Sequence, residues 1–247
     1  MVFYHYKFFE SFFKLIYMPV VASLSKAGKE YKSGDQVITA LQPTDLDLYS
    51  GELLLIIGPS GSGKTTLLSL LGCVINPTYG ELEVDGKKVN TFSANQMAKL
   101  RLNTIGFVFQ QFNLLAPLTA AENVALPLKL QGVGKSARKI KVDQALKTVG
   151  MTDRRANLPK QLSGGQQQRI AIARALVTDP KIILCDEPTA SLDKGSFDIV
   201  MKELKDLAQK GKAVAVVTHD PRLMKYADRA VEVKNGFVTA IDIKDLN

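Results

Sequence analysis

Short apolar runs separated by amphipathic stretches make up most of this chain. The run Leu53–Ile57 is apolar at every position, which is typical of a central strand in a parallel sheet with both faces covered. Similar runs occupy Lys181–Cys185 and Ala213–Val217, and the stretch between them, Gly195–Gln209, has helical periodicity. Because strands and helices alternate in this way, the pattern predicts an α/β fold with a doubly wound, mainly parallel sheet.

The middle of the chain departs from this alternation. Glu81–Val89 has Asp85-Gly86 at its centre, which predicts a hairpin and therefore a small antiparallel β subdomain beside the main sheet. From about residue 90 to residue 179 the apolar spacing is mainly helical, with breaks at residues 132–134 and 158–159. We expect a helical insertion subdomain over about residues 112–178, inside one domain that spans residues 20–247.

A glycine-rich segment follows the apolar run at residues 53–57 and precedes a helical stretch. It consists of Gly58, Pro59, Ser60, Gly61, Ser62, Gly63, Lys64, Thr65 and Thr66. Its glycines let successive backbone N–H groups point at one spot, and the helix that follows adds partial positive charge. Lys64 can then reach the β- and γ-phosphates, and the hydroxyl of Thr65 can ligate Mg²⁺. The segment therefore predicts a P-loop NTPase fold that binds ATP and Mg²⁺.

Two adjacent carboxylates, Asp186 and Glu187, end the apolar run that begins at Lys181. At the carboxyl end of a parallel strand they should lie beside the mouth of the P-loop. Successive strand residues point to opposite faces, so the two acids should have different roles. We expect Asp186 to hold Mg²⁺ and Glu187 to orient and deprotonate the water that attacks the γ-phosphate.

A second helix start carries a serine followed by two glycines, the arrangement of a second phosphate-binding surface. Its residues are Ser163, Gly164, Gly165 and Gln166, preceded by Leu162. With them the chain resembles the ATP-binding-cassette (ABC) ATPases, whose signature motif is LSGGQ. The resemblance covers about residues 20–240. It implies that this surface contacts ATP held on the P-loop of a second copy, and hence a two-fold homodimer with two ATP molecules at its interface.

Four further residues match motifs of that family and have the roles that the resemblance implies. Gln110 matches the Q-loop glutamine, which touches Mg²⁺ and the attacking water. His219 follows the run at residues 213–217 and matches the switch histidine that contacts the γ-phosphate. Asp193 matches the D-loop, which crosses to the opposite subunit. Tyr31 precedes the first predicted strand, where the family has an aromatic that stacks on adenine; a packing role fits the same sequence context.

A finer likeness is to the lipoprotein-releasing, macrolide-efflux and cell-division branch of cassette ATPases, through residues 106–110, 118–120, 122–124 and 126–128. In that branch the ATPase docks on a separate integral membrane permease subunit. The resemblance therefore implies a peripheral protein at the cytoplasmic face of the inner membrane, held there through the permease. Two functions stay open at this point. Dimer closure and reopening drive export or extraction of a substrate from the membrane, or they regulate a cell-wall enzyme without transport.

Composition and charge limit the remaining possibilities. Lys and Arg exceed Asp and Glu by 32 to 24 in 247 residues, and the net charge of +8 favours an anionic partner. Eight basic and two acidic side chains lie in residues 129–155, so the helical insertion holds most of the excess. Only 52 residues separate Gln110 from Ser163, which leaves no room for the long coiled coils of DNA-repair relatives. We expect no nucleic acid partner, and favour an anionic membrane surface or an acidic coupling surface.

Three further features of the sequence bear on location. The longest uncharged stretch, residues 102–121, contains too many polar residues for a membrane-spanning helix. Cys73 and Cys185 lie inside apolar runs, which favours buried thiols in a reducing compartment. Residues 1–19 form an N-terminal extension rich in aromatic side chains, which is either an amphipathic helix or a start-site artefact.

Overall fold

The computed structural model describes residues 18–189 and 194–243, apart from the side chains of residues 194–196. The strands are β1 (Val20–Ser33), β2 (Gln36–Tyr49), β3 (Leu53–Ile57), β4 (Tyr79–Val84), β5 (Lys87–Lys88), β6 (Ile105–Val108), β7 (Ile182–Asp186), β8 (Ala213–Val217), β9 (Arg229–Lys234) and β10 (Phe237–Ile241). The helices are α1 (Lys64–Leu71), α2 (Ala94–Thr104), α3 (Ala120–Leu130), α4 (Lys135–Thr148), α5 (Gly164–Leu176) and α6 (Lys194–Gln209). Short 3₁₀ segments lie at Thr152–Arg154, Pro159–Gln161 and Pro221–Tyr226. None of the helices in the described ranges has the length and apolarity needed to cross a bilayer.

The described strands form two sheets. The larger has the order β10-β9-β3-β8-β7-β6, in which β10 is antiparallel to β9 and all other neighbours are parallel. The smaller has the order β2-β1-β4-β5 and is antiparallel throughout. This arrangement confirms the α/β fold with a mainly parallel sheet, and the β4–β5 hairpin turns at Asp85-Gly86 as predicted.

The central strands β3 and β8 of the larger sheet are apolar at every position because both faces of the sheet are covered. Leu53 and Leu55 of β3 belong to a core that includes residues of α3, α4, α5 and α6. Leu54 and Ile56 point the other way, into a second core shared with α1 and the smaller sheet. Burial of each such side chain contributes about 1.5–3 kcal/mol to folding stability. Because alternate residues of a strand point to opposite faces, the two sets of side chains pack against different helices. Cys73 and Cys185 are free buried thiols, as expected.

Three of these helices begin with a reciprocal capping box. In each, a serine or threonine at the N-cap accepts the backbone N–H of a residue three positions later, whose side chain bonds the N-cap N–H in return. The pairs are Ser93 with Gln96 at α2, Thr119 with Glu122 at α3, and Ser163 with Gln166 at α5. Ser163, singled out in the sequence as part of a phosphate-binding surface, is thus also the residue that starts α5.

The structure corrects the sequence analysis in three places. Residues 105–108 form β6, although they lie in the region predicted to be mainly helical; four residues are too few to show a strand periodicity. The hairpin of β9 and β10 was not predicted. Tyr31 lies inside β1 and not ahead of the first strand. The strands β1 and β2 escape the pattern because irregularities interrupt their pairing and most residues near their connecting turn are exposed.

Candidate active site

The glycine-rich segment between β3 and α1 turns sharply at three glycines. Gly58, Gly61 and Gly63 have φ angles of 147°, 75° and 111°, a region in which residues with a side chain are strained. A Cβ on Gly58 would lie 2.1 Å from the carbonyl oxygen of Val233, and a Cβ on Gly63 would lie 2.4 Å from that of Ala40. At Gly61 the same position meets no atom within 4 Å. The loop is therefore packed against the protein on one side and open on the other.

Positive potential is concentrated at the start of α1. Its N-cap, Gly63, provides no side-chain cap, and the first turn holds no acidic residue, so the first N–H groups and the helix dipole attract an anion. The buried Lys64 ammonium donates to the carbonyl oxygens of Gly58 and Pro59 at 2.8 and 2.7 Å, which holds it against the loop. The hydroxyl of Ser62 is buried and has no hydrogen-bond partner in the described structure. These donors suit a polyphosphate.

The acceptor side of the site begins at Asp186, the last residue of β7. Burial raises the pKa of its carboxyl, as does the charge of Glu187, while the Lys64 ammonium lowers it. Asp186 thus lies within the field of both residues. Glu187 has a φ of 48° and has left the extended conformation. The prediction that Asp186 and Glu187 point to opposite faces assumed that both residues belong to the strand. Strand alternation does not determine where the Glu187 side chain points, because Glu187 is no longer extended.

Glu187 and His219 contact each other directly. Oε1 of Glu187 lies 2.7 Å from Nδ1 of His219, and Oε2 accepts the hydroxyl of Thr218 at 3.2 Å. The Glu187 side chain is 14% exposed, whereas the His219 side chain is 71% exposed. The exposed ring can contact a ligand through Nε2, since Nδ1 faces the carboxylate. No sequence motif predicted this contact. It follows from the pairing of Asp186 with Val217, which brings the residues after β7 and the residues after β8 close together.

Gln110 follows β6, the strand next to β7, and is exposed in the turn that ends this edge of the sheet. The backbone after it includes Phe112 and Asn113, whose φ angles of 55° and 49° are both in the left-handed region. The Arg174 guanidinium on α5 donates to both of their carbonyl oxygens, and burial lowers its pKa. Arg174 therefore ties the Gln110 loop to the helix that Ser163 begins. No sequence motif marked this residue.

The helix start at Ser163 is accessible from solvent. Ser163 is exposed, and Gly164, Gly165 and Gln166 are partly exposed. The hydroxyl of Ser163 accepts the N–H of Gln166, and its own N–H donates to the Gln166 side chain at 2.9 Å. Both bonds stay within the first turn of α5, so the surface is preformed.

Tyr31 lies near the tip of the β1–β2 hairpin. It pairs with Ile38 across the hairpin, its side chain is exposed, and the Lys29 ammonium is 5.4 Å from its ring centre. The structure thus brings together the P-loop, Asp186, Glu187, His219 and Gln110 at the carboxyl ends of neighbouring strands. Tyr31 and Ser163 lie on other elements, and Asp193 falls outside the described residues.

Comparison with known proteins gives consistent matches. The family described as ABC transporter matches residues 41–190, which is more than half of the chain. The chain is 42% identical to the uncharacterized ABC transporter ATP-binding protein YknY of Bacillus subtilis, over 86% of this chain and 93% of that protein. It is 44% identical to the macrolide export ATP-binding/permease protein MacB of Bradyrhizobium diazoefficiens, over 90% of this chain and 34% of that protein. The chain thus spans about a third of the length of this MacB protein.

Solved structures that are similar to this chain include ATP-binding cassettes. The ATP-binding cassette MJ0796, in a dimeric post-hydrolysis state bound to ADP and Pi, superposes with a TM-score of 0.82 at 43% identity. The match covers 90% of this chain and 99% of that one. A second dimeric structure of MJ0796 has the same TM-score at 42% identity. At this identity the likeness extends to sequence as well as to fold.

Proposed function

The chain belongs to the ABC transporter family, as an ATP-hydrolysing nucleotide-binding subunit, and from that premise we propose which residues perform hydrolysis and which partners it drives. The observation that carries the proposal is the meeting of donors and acceptors at one edge of the sheet. The Lys64 ammonium and the uncapped start of α1 provide positive charge there, and the carboxyl of Asp186 interacts electrostatically with Lys64. Glu187 and His219 complete the group.

ATP binds through its phosphates at the P-loop. The N–H groups of the first turn of α1 and the ammonium of Lys64 stabilise the β- and γ-phosphates, because both concentrate positive charge at one point. Lys64 now bonds to the carbonyls of Gly58 and Pro59, so its side chain is already held at the loop and loses little freedom when it binds a phosphate. Ser60 and Gly61 are exposed on the open side of the loop.

The oxygen donors around the loop fit Mg²⁺. Thr65 offers an exposed hydroxyl, Asp186 a half-buried carboxylate and Gln110 an exposed amide, all of the type that this ion takes. In the described ranges no group of three or more His, Cys, Asp and Glu residues could hold a metal. A cation bound through few protein ligands and the substrate phosphates suits such a set. When bound, Mg²⁺ neutralises charge on the β- and γ-phosphates.

Glu187 is the general base in this proposal. Its carboxylate is positioned by two contacts, one to each oxygen, from Thr218 and from His219, and each oxygen keeps a lone pair that can accept the proton of the attacking water. With both ring nitrogens protonated, His219 donates through Nδ1–H to Glu187 and through Nε2–H to the γ-phosphate. The two residues thus act together, and loss of His219 should disturb the orientation of Glu187 as well as the contact to phosphate.

The working state is a two-fold homodimer with two ATP molecules at its interface. Each ATP lies between the P-loop of one subunit and the surface formed by Ser163, Gly164, Gly165 and Gln166 of the other. The exposed, preformed start of α5 supports this arrangement, because its N–H groups and dipole can meet a γ-phosphate without rearrangement. Asp193 crosses the interface, and Tyr31 stacks on adenine.

The chain drives an integral membrane permease subunit through a cleft beside the Gln110 loop. The cleft has a volume of about 900 Å³ and lies between α2, β6, α3 and α5. Phe107 and Phe109 stack with ring centres 5.4 Å apart, and Phe109 and Leu130 are exposed at the cleft. An apolar cleft with Arg101 and Lys99 on its lining suits an amphipathic segment that carries acidic residues. Arg174 lines the same cleft and holds the Gln110 loop, so docking and hydrolysis are connected.

The basic surface of the helical region favours a location beside an anionic membrane. On α4 and the end of α3, Lys129, Lys135, Lys139, Lys141 and Lys147 are all exposed. Lys129 neighbours Leu130 at the docking cleft, so this surface would lie next to the permease. Each positive charge near such a membrane contributes about 1 kcal/mol. We place the protein at the cytoplasmic face of the inner membrane, held peripherally through the permease.

Export is the transport function that the relatives favour over signalling to a cell-wall enzyme, since the MacB proteins are named for macrolide export. The test is affinity purification of the full tagged chain from detergent-solubilised membranes, followed by identification of the partner and reconstitution in vesicles. We expect a co-purified integral membrane protein that raises ATP hydrolysis and moves a substrate. A partner that binds a cell-wall enzyme and moves nothing would overturn the export proposal. Recovery of the chain without any membrane protein would overturn the permease partner.

A further inference from the structure

A hairpin turn outside every motif touches the P-loop from behind. The turn joins β9 to β10 through Asn235 and Gly236, whose φ angles of 51° and 81° are typical of a two-residue type I′ turn. The N–H of Gly236 donates to the carbonyl oxygen of Ser62 at 2.9 Å. The carbonyl oxygen of Gly236 accepts the N–H of Gln42 at 2.9 Å. Gly236 is therefore bonded on one side to the middle of the P-loop and on the other to β2.

The strands β9 and β2 also pack directly against the first and last glycines of the P-loop. The carbonyl oxygen of Val233 on β9 leaves no room for a Cβ on Gly58, and that of Ala40 on β2 leaves none on Gly63. The loop thus meets β9 at its first glycine, the turn at Ser62 and β2 at its last glycine. These are contacts to backbone, which side-chain rotation cannot relieve.

The P-loop needs such support because its function depends on the direction of its N–H groups. Few of its own bonds fix its middle: the N–H of Ser62 donates to the carbonyl of Pro59 at 3.3 Å, and the Ser62 hydroxyl has no partner in the described structure. The bond from Gly236 is shorter, and it comes from the larger sheet.

We propose that the Asn235-Gly236 turn is a positioning element of the ATP site. Through Gly236 it holds the P-loop in its phosphate-binding shape and ties the loop to β2, the strand that pairs with β1 and Tyr31. Gly236 thereby adds a hydrogen-bonded link between the phosphate cradle and the strand that leads to the adenine side of the site. The inference rests on the P-loop as the phosphate site and goes beyond it by naming a residue that touches no nucleotide.

Glycine is required at position 236 for two reasons. Its φ of 81° is unfavourable for other residues. A Cβ there would lie 3.3 Å from the N atom of Gln42 and 3.4 Å from the carbonyl oxygen of Ala40. Alanine would therefore push the turn away from β2 by a few tenths of an ångström and lengthen the bonds that Gly236 makes.

The test uses Gly236→Ala and Gly86→Ala in the full chain as a matched pair. Gly86 is also the second residue of a two-residue turn, with a φ of 69°, but a Cβ there meets no atom within 4 Å. Both variants should lose thermal stability through backbone strain. We expect the Kd for ADP and for a non-hydrolysable ATP analogue to rise three- to tenfold (order of magnitude) in Gly236→Ala alone, as for the loss of about one hydrogen bond. Unchanged affinity in Gly236→Ala, or equal losses in both, would overturn the proposal.

A second variant removes the bond to β2 alone. Gln42 is skipped in the β1–β2 register, which passes from Leu41 to Thr44, so Gln42→Pro removes an N–H that the ladder does not use. It should weaken nucleotide binding as Gly236→Ala does, and wild-type affinity in this variant would contradict the tie to β2. Lys64→Ala distinguishes a failure of the P-loop assignment from a failure of the role of the turn. If Lys64→Ala leaves affinity unchanged, the P-loop assignment fails; if it abolishes binding while Gly236→Ala does not, only the role of the turn fails.

Hydrogen exchange of the wild-type chain tests the proposal without any variant. The amide of Gly236 should exchange slowly, because its N–H is bonded to Ser62, and more slowly still when ADP is bound. A Gly236 amide that exchanges as fast as that of Gly86, with and without ADP, would overturn the proposal even if both variants failed to fold.

Discussion

Nδ1 of His219 lies 2.7 Å from Oε1 of Glu187, so these two residues form one unit. They are 32 positions apart in the chain and meet because each follows one of two neighbouring parallel strands, β7 and β8. The sequence assigned them separate roles, one toward water and one toward phosphate. In the structure the two side chains are in contact, and we therefore propose that hydrolysis depends on both of them together.

Glu187→Gln should keep ATP binding and lose hydrolysis. The amide has the shape of the carboxylate but cannot accept a proton from water, so turnover should fall by about 10²-fold or more. Because ATP is then not consumed, a dimer should accumulate on addition of ATP and Mg²⁺. Phosphate release and light scattering measure the two effects, with Glu81→Gln, an exposed acid on the smaller sheet, as control. Hydrolysis at the wild-type rate would exclude Glu187 as the base.

Lys64→Ala should abolish tight nucleotide binding. The variant removes the ammonium and also its bonds to the carbonyls of Gly58 and Pro59, so both the charge and the held shape of the loop are lost. We expect the Kd for ADP to rise by more than about tenfold, whereas Lys88→Ala at an exposed ion pair should leave it unchanged. The measurement is titration with a fluorescent ADP, and equal affinities in the two variants would remove Lys64 from the site.

Ser163→Arg should block dimerisation while leaving ATP binding by the monomer intact. Ser93→Arg is a matched control, because Ser93 is also an N-cap in a capping box. Both variants should lose about 1 kcal/mol of stability through the lost cap. Only Ser163→Arg should prevent the ATP-driven dimer, measured by light scattering in the Glu187→Gln background. If both variants dimerise normally, the start of α5 does not contact the partner's ATP.

Tyr31→Ala should weaken ATP binding modestly, and Tyr31→Phe should preserve it. Stacking of an aromatic ring on adenine contributes about 0.5–1.5 kcal/mol, which corresponds to a two- to tenfold rise in Kd for the alanine variant. The exposed ring near the hairpin tip is free of the core, so neither change should lower the melting temperature strongly. Equal affinities for ATP in both variants would assign Tyr31 a role other than stacking.

Glu52 should make folding stability depend on pH. Burial raises the pKa of its carboxyl from 4.5 to about 7, against the opposing effects of Arg229, 2.9 Å away, and of the Tyr49 N–H. The folded state thus holds a proton that the unfolded chain releases, and this part of the unfolding free energy is lost as pH rises from about 4.5 to about 7. Urea unfolding of wild type and Glu52→Gln should diverge by about 1–3 kcal/mol across that window. A constant difference between the two would contradict the raised pKa.

Several parts of the site could be predicted because their signals are local. The P-loop is recognisable since Gly58, Gly61 and Gly63 stand at fixed spacing before Lys64, and the structure gives all three the positive φ angles that only glycine adopts easily. The start of α5 is equally local, because a capping box needs residues only three positions apart. Signals of this kind depend on residues only a few positions apart, so they can be recognised in the linear sequence.

Arg174 and Gly236 could not be found in the same way. Arg174 bonds to carbonyls 61 and 62 positions earlier, and Gly236 bonds to Ser62, which lies between β3 and α1 and is distant from it in the sequence. Backbone carbonyls carry no residue-specific signal, so neither contact leaves a pattern in the sequence. The strands β1, β2 and β6 were missed for a related reason, since bulges and short length remove the periodicity that would mark them.

The chemical groups of the proposed site can be read from the linear order of residues: a glycine-rich loop before a helix, an acidic pair after a buried strand, and a second helix start with a serine and two glycines. Which of these groups meet depends on the packing of the folded chain. Glu187 faces His219 because β7 and β8 are neighbours, and the P-loop is held by Gly236 because β9 lies beside β3. Strand order is fixed by long-range pairing and by how both faces of the sheet are covered, and no local run of residues encodes it.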